Sequence, residues 1–241
     1  MNPPQEAMRL AVMQPYFFPY LGYWQLIHSV DRFVALDDVN FIKQGWINRN
    51  RILVNGQPCY FTLPLDGASP NRLIREISLH TGQFRSDKML RSIMLAYRTA
   101  PYFAETYPVV EDIILHQADN LSAYLFHSIA RMVDFLGIDT ELVPSSSIHP
   151  KDGLTGEARV IDICRREGAG VYINPEGGQL LYTGSHFARE DISLRFLVMR
   201  MAPYAQRSEV FNPYLSIIDL LMMEGRDNTR HRLDHYDLLQ G

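Results

Sequence analysis

At 241 residues, with 46% hydrophobic and 21% charged residues, the chain has an ordinary globular composition and enough length for a sizeable core. Its net charge of −4 and pI near 6.1 leave no basic field for long nucleic acid. No window approaches the roughly 18 uninterrupted apolar residues of a membrane span, so no membrane insertion is expected.

Two cysteines, Cys59 and Cys164, cannot build a disulfide framework and stand in no metal-ligand spacing. Both read as small buried apolar residues in a reducing cytoplasm. The opening MNPPQEAMRLAVMQPY lacks the positive region and long apolar stretch of a secretory signal. A cytoplasmic location is the expectation.

Met8 to Tyr16 is a short apolar run ended by Pro15, a buried strand. YLGYWQLIHSV follows with helical spacing, placing Leu21, Trp24, Ile27 and His28 on one side. In DRFVALDDV the compact run Phe33 to Leu36 ends at Asp37 and Asp38, a second buried strand. Strand, helix and strand at this spacing form a βαβ unit with a parallel sheet.

Asn55-Gly56 separates two β-rich runs, the strongest short-range hairpin signal. SPNRLIREISLH adds an extended segment. From about 83 to 137 the pattern is mostly helical, with two amphipathic runs interrupted by Pro101 and Pro108 and a natural stop at Gly137. TELVPSSSI is a strand running into a polar turn, Gly156 to Glu167 a helix, GVYINP a strand, and ISLRFLVMRM another. LSIIDLLMMEG is a short apolar helix stopped at Gly225, and the charged remainder is expected to be a tail helix. The whole reads as one α/β domain, residues 1–241, with the hairpin and the helical segment 83–137 as insertions.

In open parallel sheets ligands bind beyond the C-terminal ends of the strands. QPYFFPYLGY holds that position after the first strand. Gly22 permits close backbone approach, and the helix N-terminus suits an anion. Tyr16, Tyr20 and Tyr23 can stack on a base or sugar and donate hydrogen bonds. Phe17, Phe18 and Trp24 read as core. For Gln14, Tyr20 and Tyr23, ligand contact and structural packing both fit.

The second candidate region is LDDVNFIKQGWINRNRI. Asp37 or Asp38 would act as a base or hold a ribose hydroxyl, and Lys43 or Arg49 would hold a phosphate or carboxylate. Trp46, Asn48 and Asn50 are unusual filler for a solvated loop. The third is YINPEGGQLLY, where Asn174 and the turn Gly177-Gly178 close a strand and can present backbone N–H groups to an anion. No Lys-Ser or Lys-Thr follows, so it is no Walker motif. The eight histidines are scattered, and His231 and His235 read as a surface pair, so no metal site is expected.

Two resemblances bear on function. Tyr20-Leu21-Gly22-Tyr23 is similar in placement to the His-x-Gly-His of HIGH-superfamily nucleotidyltransferases, with phenols where that superfamily has imidazoles. The likeness implies a Rossmann-like nucleotide-site fold. A phenol is not cationic near neutral pH, so adenylyl transfer itself does not follow.

Over nearly the whole chain, MQPYFFPYLGYWQLI, DRFVALDDVNFIKQGWINRNRI, FTLPL, GEARVIDICRREGAGVYINPEGGQLLY and NPYLSIIDLLM resemble the WbqC-like protein family. The resemblance implies a bacterial protein of O-antigen or other surface-polysaccharide assembly. The expected reaction is acyl or aminoacyl transfer to an amino sugar, from a nucleotide-linked or thioester-linked substrate. Two alternatives are a non-catalytic nucleotide-binding protein and a nucleotidyltransferase. It also implies Asn174, Gly177, Gly178, Ser216 and Asp219 as site residues. No cofactor and no oligomeric state follow from the sequence.

Overall fold

The computed structural model describes residues 7–80 and 86–241. The expectation of no secretory signal rests partly on residues 1–6, and the expected start of the helical segment falls at Gln83; both lie outside the described residues.

The chain opens with the expected unit of β1 (Arg9–Met13), α1 (Leu21–His28) and β2 (Arg32–Ala35). β1 and β2 pair in parallel, with Ala11 opposite Phe33 and Met13 opposite Ala35. Leu21 to Ile27 of α1 are all buried, as fits a helix that is apolar all round. Gln25, inside this helix, donates from Nε2 to the carbonyls of Arg232 and His235.

Residues 36–140 then build a separate layer before the chain returns to the sheet. The hairpin β3 (Arg49–Val54) and β4 (Gln57–Thr62) turns at Asn55-Gly56, both at positive φ. The short strands β5 (Leu65–Asp66) and β6 (Ser78–Leu79) pair antiparallel, which is the extended segment anticipated around Ile77. The helices α2 (Ser86–Tyr97), α3 (Phe103–Leu115) and α4 (Leu121–Leu136) follow. Asn120 caps α4 from its side chain, and Gly137 ends it in the left-handed conformation.

After β7 (Glu141–Val143) come α5 (Gly156–Glu167), β8 (Val171–Pro175), α6 (Gly184–Ala188), β9 (Ser193–Met199), α7 (Ile217–Arg232) and β10 (Tyr236–Gln240). The six-stranded sheet has the order β10-β9-β8-β1-β2-β7, parallel except for β10. Side chains alternate across it. Ala11, Phe33, Ile173 and Leu197 cluster with the buried residues of α1, α7 and α2 to α4, while Leu10, Val12, Val34, Tyr172 and Leu194 pack with Val160, Ile163 and Cys164 of α5. Each fully buried Leu, Ile or Phe contributes about 1.5–3 kcal/mol.

Three local readings change and one holds. Pro108 does not interrupt: α3 runs through it, because the buried face Val109, Val110, Ile113 and Ile114 outweighs one lost backbone bond. Gly225 does stop the apolar helix as expected: at φ 78° and ψ 175° it leaves helical geometry, and α7 is two helical segments that meet there. The charged tail is helical only to Arg232 and then forms β10, whose backbone pairs with the edge of β9 from Tyr236↔Met199 to Gln240↔Arg195. Cys164 is buried as expected, but Cys59 is exposed, because β3–β4 is a two-stranded ribbon.

Candidate functional site

From β1 the chain connects first to β2 and then to β7 on one side of it, and returns as β8 on the other. This reversal of strand order is where open α/β sheets hold ligands. Two segments leave the sheet there, the aromatic loop 14–20 after β1 and the turn 176–178 after β8.

The aromatic loop is fastened from several sides. Phe18 takes a positive φ of 41°, a conformation that costs a non-glycine residue about 1–3 kcal/mol. Its carbonyl accepts from Asn50 Nδ2 at 2.8 Å and from Ser216 Oγ at 2.9 Å. Asn50 also donates to the Phe17 carbonyl at 3.1 Å, and Trp24 Nε1 donates to that of Pro19. Phe17, Phe18 and Trp24 are buried, so the aromatic character of the loop is half core.

The three tyrosines then separate. Tyr23 is fully buried, with its hydroxyl on the Gln14 carbonyl at 2.8 Å and its ring against Phe33. Burial raises this phenol well above its ordinary pKa. Tyr23 is thus a strut between α1 and the loop. Tyr16 and Tyr20 are only partly buried. Burial pushes Tyr16 up to about 12, with Tyr20 adding to the shift. Tyr20 is raised first by burial, then by Tyr214 and Glu176. Its ring meets Tyr214 edge-on at 5.7 Å.

Gly22 has a different use from the one expected. A Cβ there would come within 2.6 Å of Tyr20 Cε2, so the missing side chain makes room for the Tyr20 ring over the first turn of α1. In the β8 turn, Asn174 is buried and donates to Tyr172 Oη at 2.7 Å. Its Oδ1 lies where a side chain on Gly178 would stand, which explains that glycine. Gly177 is exposed, with open space around it.

Asp37 and Asp38 follow β2 by two and three residues and are both buried. Asp37 accepts from Ser122 Oγ at 2.7 Å and Ser145 Oγ at 2.6 Å, and lines an open cleft of about 570 Å³ with Arg75, Asn120 and Ser147. Asp38 accepts from Ser146 Oγ at 2.6 Å and pairs with the buried Arg159 at 3.0 Å. Arg159 also donates to the carbonyls of Ser146, His149 and Pro150. Asp38 therefore anchors the loop after β7 to the end of β2.

The remaining candidates from the second region do not gather as one group. Lys43 is exposed on the loop 41–48. Asn48 Nδ2 donates to the Leu63 carbonyl at 2.9 Å. Arg49 lies over the Tyr60 ring at 4.4 Å and Arg51 over Trp46 at 5.3 Å, while Trp46 and Tyr60 stack. This ladder is open to solvent, Trp46 being 37% and Tyr60 54% exposed.

Ser216 and Asp219 begin α7. Ser216 Oγ caps the helix by accepting from the Ile218 amide, besides holding Phe18. Asp219 is buried and accepts from Tyr97 Oη at 2.6 Å and Tyr204 Oη at 2.8 Å. Burial is the leading cause of its raised pKa, opposed by the two phenols. A raised carboxyl pKa favours the fold most below the unfolded value of about 4, and that contribution is lost as pH rises through the folded value. Asp219→Asn is accordingly expected to gain stability relative to wild type as pH rises from about 4 to 7. Asp219→Ala, which takes the acceptor from the Tyr97 and Tyr204 hydroxyls, is expected to cost about 1–3 kcal/mol. Denaturant melts across that pH range check both, and a difference between Asp219→Asn and wild type that does not change with pH would remove the assignment.

Tyr16, Tyr20, Tyr214 and Glu176 thus converge at the strand reversal, while Tyr23, Asn50, Asp38, Ser216 and Asp219 hold the scaffold around it. Glu176, Tyr214 and Arg159 were not singled out from the sequence. Arg159 carried a readable signal, since it is a charge on the same helix face as Ile163. Among the described residues no three His, Cys, Asp or Glu side chains converge to hold a metal ion. No described helix is long and apolar enough to cross a membrane.

Fold and site define a mixed α/β protein with a mostly parallel sheet whose strand order reverses beneath an aromatic loop. The chain belongs to the WbqC-like protein family, whose sequence profile matches residues 14–231. It is also 28% identical over 224 residues to the uncharacterized protein Rv1507c of Mycobacterium tuberculosis, covering 91% of this chain and 95% of that one. No solved structure matches the chain.

Proposed function

We propose that the chain is an enzyme of bacterial surface-polysaccharide or nucleotide-sugar biosynthesis. It transfers an acyl or aminoacyl group to an amino sugar carried on a nucleotide. We read the fold as Rossmann-like, akin to the HIGH superfamily, and the chain as one α/β domain acting in the cytoplasm. The observation that carries the reading is the set of partly open rings, Tyr16, Tyr20 and Tyr214, with Glu176 at the strand reversal. Rings stack on a base, and a carboxylate accepts from sugar hydroxyls. The exposed amide at Gly177 suits a phosphate oxygen.

Of the two acids, Asp37 suits the base, because its partners are hydroxyl groups and it lines a cleft. Asp38 already has a guanidinium partner. Nucleotidyl transfer is disfavoured, since Tyr23 is sealed in the core and Tyr20 covers the helix start where that superfamily holds phosphates. The same two facts favour one other reading, a protein that binds the nucleotide sugar without turnover. Product formation from an activated acyl donor separates the two.

Calorimetry with a nucleotide-linked amino sugar tests the site. Tyr20→Ala is expected to weaken binding about 10- to 100-fold, the worth of one stacked base. Gly22→Ala displaces the same ring, and the helix propensity it adds offsets part of the packing cost, so affinity should fall more than stability. Wild-type affinity in both variants would sink the assignment.

A further inference from the structure

A second cavity, of about 360 Å³, opens on the α5 side of the sheet. Its walls are largely hydrocarbon, from Leu36, Val39, Val160 and Leu181. Its polar end is the first turn of α5 with Lys151 and Arg159. Three features of that end point to an anion. Thr155 does not cap α5 from its side chain, so the first-turn amides keep their partial positive charge for a ligand. Lys151 donates one of its three hydrogens to the Asp38 carbonyl at 2.8 Å, which fixes the ammonium and leaves two donors. The Arg159 side chain is 2% exposed, and its Nε has no acceptor among the described residues. A buried donor without a partner is uncommon and costly.

The charge balance selects the ligand. Asp38 matches Arg159, and Glu157 is engaged by the Thr183 amide and His186. Glu157 keeps its own charge, since an amide is neutral and His186 is charged only when protonated. Lys151, with no carboxylate partner among the described residues, can match one negative charge and not two. The volume suits a molecule of amino-acid or short fatty-acid size, far below a coenzyme thioester.

We propose that this cavity binds a small monocarboxylate with an apolar body. The carboxylate lies at the N-terminus of α5 beside Lys151 and Arg159, and the hydrocarbon lies against Leu36, Val39, Val160 and Leu181. The exposed Leu181, 68% open to solvent, forms the outer wall and is covered by the ligand. A free carboxylate carries no leaving group, so this cavity binds the acid itself and takes no part in the bond-forming step of the transfer proposed above.

Equilibrium binding tests it without turnover. Hexanoate and its matched amine, hexylamine, are titrated into the full chain by calorimetry. The acid is expected to bind and the amine not. Lys151→Met should weaken the acid about tenfold or more, as loss of a charged hydrogen bond does. Leu181→Asp should do the same, by placing an anion at the outer wall; because Leu181 is exposed, this variant keeps the fold whatever happens to Lys151→Met. Absence of hexanoate binding, tighter binding of the amine, or unchanged affinity in both variants would overturn the proposal. Acid binding without acyl transfer keeps this site and removes the transfer reading. Nucleotide-sugar binding without acid binding does the reverse.

Discussion

Arg159→Met is expected to cost the fold about 3–5 kcal/mol, the penalty for leaving a buried charge without its partner. Asp38 is buried with it, and the guanidinium also holds the carbonyls of Ser146, His149 and Pro150. Against a typical domain stability of about 5–15 kcal/mol, this loss alone brings the protein close to unfolding at 37 °C. The double variant Asp38→Asn/Arg159→Met should recover part of the loss, because removing both charges takes away the uncompensated one. Recovery is incomplete, since the three carbonyls still lack a donor. Urea melts of both variants check this. A single-variant cost below about 1 kcal/mol, as for an exposed pair, would show that the pair does not anchor the loop.

Asn50→Ala is the second large effect. Asn50 is buried, and it donates to the carbonyls of Phe17 and Phe18 and accepts from the Arg51 amide. Its removal orphans buried groups at about 2–3 kcal/mol. It also releases the turn at Phe18, whose positive φ persists only while its surroundings enforce it. Ser216 still holds the Phe18 carbonyl, so the chain folds but the loop carrying Tyr16 and Tyr20 loses its shape. Affinity for a nucleotide-linked sugar should therefore fall by more than tenfold under conditions where circular dichroism remains native. Full affinity in a destabilised Asn50→Ala protein would separate the loop from the site.

These two residues bear on how much of the site could be read in advance. Asn50 stood out as polar filler among aromatics, and its type suggested a ligand. Its amide faces carbonyls 32 and 33 positions earlier in the chain, a pairing no local pattern encodes. Asp38 and Arg159 lie 121 positions apart, and nothing local to either names the other as its partner. Tyr20 and Tyr23 were alike on paper. Helix packing sends Tyr23 into the sheet and leaves Tyr20 over Gly22.

Where the physics is local, the sequence by itself determined the outcome. The apolar runs of β1 and β2 bury on both faces of a parallel sheet, Asn55-Gly56 turns the hairpin because both residues accept positive φ, and Gly137 ends α4 for the same reason. The cluster of restricted and aromatic residues also marked the end of β1 as unusual. Only the tertiary structure decided that the charged tail would become β10, because the free edge of β9 offers hydrogen bonds that outweigh helical propensity. It alone decided which polar side chains serve as fasteners and which remain open at the strand reversal. A side chain's chemistry is written in its letter, but its partner is set by the folding of segments a hundred residues apart.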